Sequence, residues 1–179
     1  LVAPEDNVEI RYVTLTNHSD EPHVLELTSY LEPVLGLPNN DLDHLTFSKL
    51  FIQTEFVSSR NALLAKRRKR SAQDLECWGL HVVVTDGEML SDIQYETDRA
   101  KFIGRGRTLQ NSLALSDDGV LSNTSGATID PILSLRVHVR VPANGSLRVA
   151  FTTGLATSCE MALELADRYY DIHAFDRES

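Results

Sequence analysis

The sequence predicts an all-β protein, an antiparallel β-sandwich that ends in a helix. Three observations predict it: apolar and polar residues alternate in several short segments, turn-forming residues separate those segments, and a helical period appears only near the C-terminus. The chain has 179 residues, of which 42% are hydrophobic and 24% charged, which is typical of a single globular domain. We place the sandwich at residues 1–156, and a helix with the start of a helical linker at 157–179.

The first two predicted strands form a hairpin. An alternating segment over Val8–Thr16 leads through the polar turn Asn17–Pro22 into a second apolar phase over Leu25–Leu31. The apolar phase of the first strand slips between Tyr12 and Val13, which indicates either a β-bulge or burial on both faces. We therefore expect two paired antiparallel strands at the start of the chain.

Four short strands are predicted in the middle of the chain. They cover Phe51–Val57, Leu63–Ala65, Trp78–Val84 and Ile93–Thr97. Trp78 lies in phase with the aliphatic residues of its strand, which favours core packing over a role as a sugar platform. The basic run at 66–70 lies between two of these strands and is expected to be a solvated loop.

The clearest strand is Leu133–Val141, where odd positions are aliphatic and even positions polar. We expect its odd positions to face the core and its even positions, among them His138, to face solvent. The turn Pro142–Ser146 and a second alternating segment over Leu147–Phe151 then predict another hairpin. The preceding segment, Leu113–Ile129, is rich in turn residues and is predicted to be a long loop.

A helix is predicted after Thr157. The residues Thr157–Glu160 match a capping box, and an apolar face follows at Met161, Leu165 and Tyr169. A second helix is predicted from Asp171 onward. Because the chain begins without Met and stops inside that second helix, we expect it to be a piece of a longer protein.

The composition limits the partners and the compartment. With 17 basic and 26 acidic residues, the net charge of -9 opposes binding to nucleic acid, so none is predicted as a partner. No apolar stretch approaches the ~20 residues that a membrane helix needs, so these residues are not expected to insert into a membrane. The two cysteines, Cys77 and Cys159, are too few for a disulfide framework, which favours a reducing, cytoplasmic compartment.

The most unusual segment is Tyr95–Arg107, which gathers charged, aromatic and glycine residues into thirteen positions. Arginine side chains bind sugar hydroxyls or phosphate, and Tyr95 or Phe102 is of the right type to stack on a sugar ring. The alternative is that Glu96 and Asp98 pair with the arginines and only brace a strand end. The predicted substrate-binding residues are Tyr95, Glu96, Asp98, Arg99, Arg105 and Arg107.

No catalytic residue or cofactor is predicted within the chain. Paired carboxylates for glycoside hydrolysis have five formal candidates, most of them expected to face solvent: Glu26, Glu32, Glu55, Glu96 and Asp98. The six histidines show no metal-binding spacing, and neither a hydrolase nucleophile elbow nor a P-loop is present. We therefore predict no metal and no organic cofactor.

Several stretches of the sequence are informative when taken together: Val8–Pro22, Leu25–Tyr30, Phe47–Phe51 with Gln53–Glu55, Tyr95–Arg99, Phe102–Arg107 and Asp130–Ile132. Together they resemble one family, the phosphorylase-like region of bacterial cyclic β-1,2-glucan synthases. That region is similar to the cellobiose and chitobiose phosphorylases of glycoside-hydrolase family ninety-four. The resemblance implies a sandwich of the galactose-mutarotase type, followed by a helical linker and an (α/α)6 barrel.

The resemblance also implies a function. The general acid and the phosphate-binding residues belong to the barrel beyond Ser179, so the sandwich is expected to be inert alone. It would support the barrel and border the acceptor-sugar site, in some cases that of the other subunit of a homodimer. The resemblance implies a β-glucan oligosaccharide as the ligand, and cleavage of it by the barrel with phosphate and inversion. It also implies that segments outside this chain would anchor the whole enzyme in the inner membrane.

Three alternatives stay open on the sequence alone. The chain is compatible with a free-standing carbohydrate-binding module, or with a mutarotase-like enzyme that uses a histidine and a glutamate. A purely structural interaction domain is the third. A full family sandwich is larger than this chain, so strands before Leu1 are expected to be missing and an edge to be left open.

Overall fold

The computed structural model describes residues 1–36, 49–69, 74, 76–116 and 118–172, and it confirms the antiparallel sandwich. Within these ranges, ten strands form two sheets, and the pairings between named strands are all antiparallel. The strands are β1 Val8–Thr16, β2 His23–Thr28, β3 Ile52–Val57, β4 Ala62–Arg67, β5 Trp78–Thr85, β6 Glu88–Met89, β7 Gln94–Asp98, β8 Gly126–Ala127, β9 Pro131–Val141 and β10 Ser146–Ala156. Two α-helices lie wholly within the described residues: α1, Arg99–Ile103, and α2, Cys159–Arg168.

The larger sheet has the order β1-β10-β5-β4-β3-β8 and is buried on both faces. Its inner face packs on the smaller sheet through side chains such as Leu63, Val83 and Val149. Its outer face is covered by the N-terminal segment and by α2. Double burial explains why β5 is buried at seven consecutive positions, Trp78–Val84, and why Trp78 packs in the core.

The same double burial explains the phase slip in β1. Tyr12 packs against the outer cluster while Leu15 packs against the inner one, and the register with β10 runs without a bulge from Val8 to Thr16. Of the two possibilities that the sequence left open, burial on both faces is therefore the one observed.

The smaller sheet is centred on β9, which pairs with β2 on one edge and with β6 and β7 on the other. The odd positions of β9 point into the inter-sheet core, as predicted. The even positions do not all face solvent, and that prediction is wrong: Ser134 and Arg136 are fully buried and His138 is half-buried, so only Arg140 is exposed. The segment after α1 covers this part of the sheet.

Both predicted hairpins are wrong. β1 pairs with β10 in the larger sheet and β2 with β9 in the smaller sheet, so the turns after β1 and β9 each carry the chain from one sheet to the other. The two turns lie side by side. The Asn17 side chain donates to the carbonyl oxygens of Glu21 (2.7 Å) and Pro142 (3.1 Å), and the Asn144 backbone donates to Ser19 (2.9 Å). Paired sheet-crossing turns, rather than hairpins, therefore close this end of the sandwich.

Helix α2 begins one residue later than the capping box predicts. Ser158, not Thr157, is the N-cap, and its hydroxyl accepts from the Met161 backbone at 3.2 Å. Met161 is exposed, and the buried face is formed by Ala162, Leu165, Ala166 and Tyr169. Of the second helix predicted from Asp171, only Asp171 and Ile172 are described, and the remainder lies outside the described residues.

A buried histidine ties the two sheets together. His81 of β5 forms hydrogen bonds to the hydroxyls of Thr153 (2.9 Å) and Ser29 (2.8 Å), the first on the same sheet and the second beside β9 of the other. Burial, and then the nearby Arg11 guanidinium, lower the pKa of His81 to about 4. His81 therefore remains neutral in the folded protein down to mildly acidic pH.

We expect Arg136→Ala to destabilise the fold by about 2–4 kcal/mol, because the guanidinium donates hydrogen bonds to buried acceptors that would be left without a partner. Arg136 donates to the Gly119 carbonyl (2.6 Å) and to Thr28 (2.9 Å), and it pairs with Glu26 (3.0 Å). Urea unfolding measures the loss. Arg140→Ala, on the same face of β9 but four residues further along the chain, should lower the free energy of unfolding by less than about 0.5 kcal/mol because its ion pair is exposed. Equal losses for both variants would contradict this.

We expect acid to weaken the fold through His81. Because its pKa is lower when folded, the stability it contributes is complete above pH 6.5 and is lost as the pH falls toward 4. At about 1.4 kcal/mol per pKa unit, the loss is about 3 kcal/mol. The free energy of unfolding, measured with denaturant between pH 7 and 4, should fall less steeply with pH for His81→Gln than for the wild type. His18→Gln, at an exposed histidine, should keep the wild-type slope. Parallel profiles for all three proteins would exclude this role.

Candidate functional site

The Tyr95–Arg107 segment starts in β7, where two of its predicted site residues are held by packing and by the backbone. The Tyr95 ring stacks on Phe56 with centroids 4.1 Å apart. Glu96 is fully buried, and its carboxylate accepts from the backbone of Thr97 (2.9 Å), Asp98 (3.0 Å) and Ser122 (3.2 Å). Glu96 therefore fixes the path of the chain from inside the domain.

Asp98 and Arg99 begin helix α1. The Asp98 carboxylate caps the helix by accepting from the Ala100 backbone at 2.9 Å. Neither Glu96 nor Asp98 is the ion-pair partner of Arg99, so the bracing pairs suggested by the sequence are not those observed. Instead the Arg99 Nε lies 3.1 Å from Glu32 Oε1, and its Nη1 lies 3.6 Å from Asp130 Oδ2.

Arg99 belongs to a closed ring of charges, which we call the Arg99 network: Tyr30, Glu32, Lys49, Arg99 and Asp130. The Lys49 ammonium completes the ring, 2.9 Å from Glu32 and 2.7 Å from Asp130. The Tyr30 hydroxyl donates to Glu32 at 2.7 Å and accepts from Arg99 at 3.1 Å. Two cations and two carboxylates balance, so the network is neutral as a whole.

The electrostatics of the Arg99 network keep its members in fixed charge states. The Tyr30 hydroxyl bond and then Lys49 lower the pKa of Glu32 to about 2. Burial and then the bond to Glu32 raise the pKa of Tyr30 to about 12. Burial opposes the charge of Lys49, but its bonds to Asp130 and Glu32 outweigh burial and raise its pKa. The network is therefore a structural clamp and not a source of exchangeable protons near neutral pH.

Beyond α1 the chain makes a sharp turn, Gly104–Arg107, which we call the rim turn. Gly104 and Gly106 have φ angles of 84° and 72°, which favour glycine, and a Cβ on Gly104 would lie 3.0 Å from the Leu113 side chain. Arg105 and Arg107 are exposed. Among the described residues, no carboxylate lies within ion-pair distance of either guanidinium.

Phe102 does not share that exposure. It is fully buried in a small cluster with Ile103, Ala114, Leu121 and Ile132, and it packs at 5.1 Å on the Tyr30 ring. The suggestion that Phe102 stacks on a sugar is therefore wrong. Its aromatic ring is used to dock α1 onto the outer face of the smaller sheet.

The family model for the glycosyl hydrolase 94 supersandwich domain matches residues 1–172. The chain belongs to this family. It is also 40% identical, over 99% of its length, to part of the cyclic beta-(1,2)-glucan synthase NdvB of Rhizobium meliloti (strain 1021), and it spans only 6% of that protein.

The supersandwich domain contains functional candidates that the sequence did not single out. Tyr30, Lys49 and Asp130 lie within the stretches that carried the family resemblance, yet none was predicted as a site residue. Glu32 was a formal catalytic candidate only, and the remaining ones, Glu26 and Glu55, are exposed on strands. The network brings together four segments that are distant in sequence, and no local spacing of residues indicates such a contact. The family resemblance was therefore the one signal that could have pointed to these residues.

Two further properties of the supersandwich domain concern metals and membranes. Within the described ranges, no three His, Cys, Asp or Glu side chains lie close enough together to share a metal ion. None of the helices among those residues combines the length and apolar character that crossing a bilayer requires.

We expect Lys49→Met to destabilise the supersandwich domain by about 1–2 kcal/mol, because Glu32 and Asp130 would lose the cation between them. Only 13% of the Lys49 side chain is exposed, so its charge is poorly screened. Chemical denaturation at low and high salt measures the loss. Lys101→Met is the matched control, since its exposed ammonium bonds only Thr124 in the described structure; a loss as large as that of Lys49→Met would refute the assignment.

Proposed function

We propose that this domain is the non-catalytic sandwich of a β-glucan-processing enzyme of the cyclic β-1,2-glucan synthase or inverting phosphorylase type. In this proposal it supports an (α/α)6 barrel of the same chain and borders the acceptor-sugar site. The observation that carries the proposal is the rim turn, where Arg105 and Arg107 are exposed and unpaired among the described residues. Guanidinium groups held in this way donate several directed hydrogen bonds to a polyhydroxylated ligand.

The rim turn is braced, which suits a binding role. The Arg99 network and the buried Glu96 hold the chain on both sides of α1, so little conformational entropy remains to be lost when a ligand binds. Tyr95 and Asp98 complete this support from β7 and from the helix cap. Of the six predicted site residues, Arg105 and Arg107 are thus proposed to contact sugar and the other four to position them.

The apolar surface next to the rim turn supports a docking role. Leu113 packs beside Gly104 but remains 46% exposed, and Leu109, Leu115 and Val120 are exposed in the same covering segment. Exposed aliphatic side chains beside a charged turn are typical of a domain interface with a polar rim. The proposed occupant is the barrel, with a homodimer as the alternative arrangement for delivering the rim turn to an active site.

The carboxyl group of Glu32 in the Arg99 network does not suit the role of a catalytic acid. A general acid for glycoside cleavage needs a raised pKa, whereas the pKa of Glu32 is strongly lowered by its partners. We therefore assign the acid, and attack by phosphate with inversion, to the barrel. We further propose that the domain lies in the cytoplasm, that the sandwich ends near residue 156, and that α2 begins the linker.

We expect Arg105→Ala and Arg107→Ala, made in the whole enzyme, each to raise KM for the acceptor sugar about fivefold to tenfold. Their side chains are exposed, so thermal unfolding should shift by less than the measurement error. Initial rates at varied acceptor concentration test this. Arg140→Ala, an exposed arginine at the far end of β9, is the control and should leave KM unchanged.

The alternatives give different outcomes in the same series. A structural interaction domain predicts lower stability for the rim variants and an unchanged KM. A free-standing module predicts that the 179-residue chain binds β-1,2-gluco-oligosaccharides through the rim turn, with binding lost in Arg105→Ala. A mutarotase-like enzyme predicts a faster change of optical rotation in aldose solutions.

A further inference from the structure

The two sheets separate near the edge formed by β1 and β2 and leave a cleft of about 460 Å³, which we call the inter-sheet cleft. This volume lies within the range of ~300–1,000 Å³ typical of small-molecule sites. The cleft is distinct from the rim turn. Its lining residues are Arg11, Val13, Leu27, Thr28, Ser29, Tyr30, Leu31, His81, Phe151 and Thr153.

The lining combines an apolar wall with directed polar groups. The Phe151 ring lies parallel to the His81 ring, at 10° with centroids 6.0 Å apart, and aliphatic side chains of both sheets extend this wall. The hydroxyl of Thr153 bonds to His81, which leaves acceptor capacity, since a hydroxyl donates one hydrogen bond and accepts two. A pyranose ring has the matching character, with apolar C–H faces and polar hydroxyls at its edge.

The charges of the inter-sheet cleft favour a neutral ligand. Arg11 is its charged lining residue, and that guanidinium is paired with Glu9 at 2.9 Å in an exposed position. His81 is buried between hydroxyl partners, and burial lowers its pKa to about 4, so the wall it forms is neutral at neutral pH. None of the described lining residues is an aspartate or a glutamate, so the histidine lacks the carboxylate partner that a mutarotase-like reaction requires.

We propose that the inter-sheet cleft is a second carbohydrate subsite that holds one neutral sugar unit of a glucan chain. The ligand class rests on the proposed function, while the place is new. Tyr30 connects the two regions, since it lines the cleft while its hydroxyl belongs to the Arg99 network. A glucan held at the cleft would therefore contact the same clamp that orients the rim turn.

The test is a titration of the chain with sophorose, the β-1,2-linked glucose disaccharide, followed by NMR of the histidine side chains. We expect the His81 imidazole signals to shift in a saturable way while those of His18, on the exposed turn, stay in place. Arg11→Met keeps the aliphatic stem but removes the guanidinium, whose Nη1 is not bonded to Glu9, and it should raise Kd about fivefold to tenfold. Arg105→Met is the matched control and should leave the His81 response unchanged.

The remaining outcomes overturn one proposal or the other. An absent His81 response to sophorose, or a response to inorganic phosphate alone, overturns the cleft proposal and leaves the rim turn untouched. A sugar response that is confined to the rim turn and is lost in Arg105→Met also overturns the cleft proposal and leaves the role of the rim turn intact. A His81 response in the chain, with no effect of Arg105→Ala on acceptor KM in the whole enzyme, supports the cleft and overturns the proposed role of the rim.

Discussion

The buried guanidinium of Arg136 is the interaction on which the functional surface depends. It lies on the outer face of the smaller sheet, where an alternating strand would ordinarily meet water, and it donates to the carbonyl oxygens of Ala114 and Gly119. Both carbonyls lie in the loop that follows α1, and they receive this donor only while the loop lies on the sheet. Loss of the donor would leave buried acceptors without a partner, which is costly. The loop in turn places Leu113 against Gly104, so the position of the rim turn follows from one charge on β9.

A second charge completes the arrangement from the other side. Glu96 is buried on the neighbouring strand and accepts from Ser122 at the far end of the same loop. An anion and a cation thus hold two ends of one segment through backbone bonds, without pairing with each other. Charge-assisted bonds of this kind are stronger than neutral ones, so the two charges anchor the described parts of this loop to the sheet.

The strands were predictable from the sequence, but their partners were not. Period-two alternation shows which side chains share a face, and it placed β1, β3, β5, β7 and β9 to within about two residues, whereas β10 continues past the predicted Phe151 to Ala156. It carries no information about which strand lies alongside. The Asn17 and Asn144 turns have the composition of hairpin loops, yet their hydrogen bonds join one turn to the other, so each strand leaves for the opposite sheet. Likewise, the polar residues Ser134 and Arg136 were predicted to face solvent. They are buried because a loop distant in sequence covers them, and strand periodicity contains no information about that loop.

The candidate site shows the same limit in its charges. Arg99 has acidic neighbours in sequence at Glu96 and Asp98, but both carboxylates serve backbone donors where β7 ends and α1 begins. Such donors lack partners at a strand end or in the first turn of a helix, and a nearby carboxylate reaches them at little entropic cost. Arg99 instead pairs with Glu32 and Asp130, two carboxylates that are distant in sequence. Arg105 and Arg107 follow the helix on a glycine turn, beyond those acceptors. Within the part of the chain that the structure describes, no carboxylate pairs with them, since Glu96 and Asp98 already accept from the backbone.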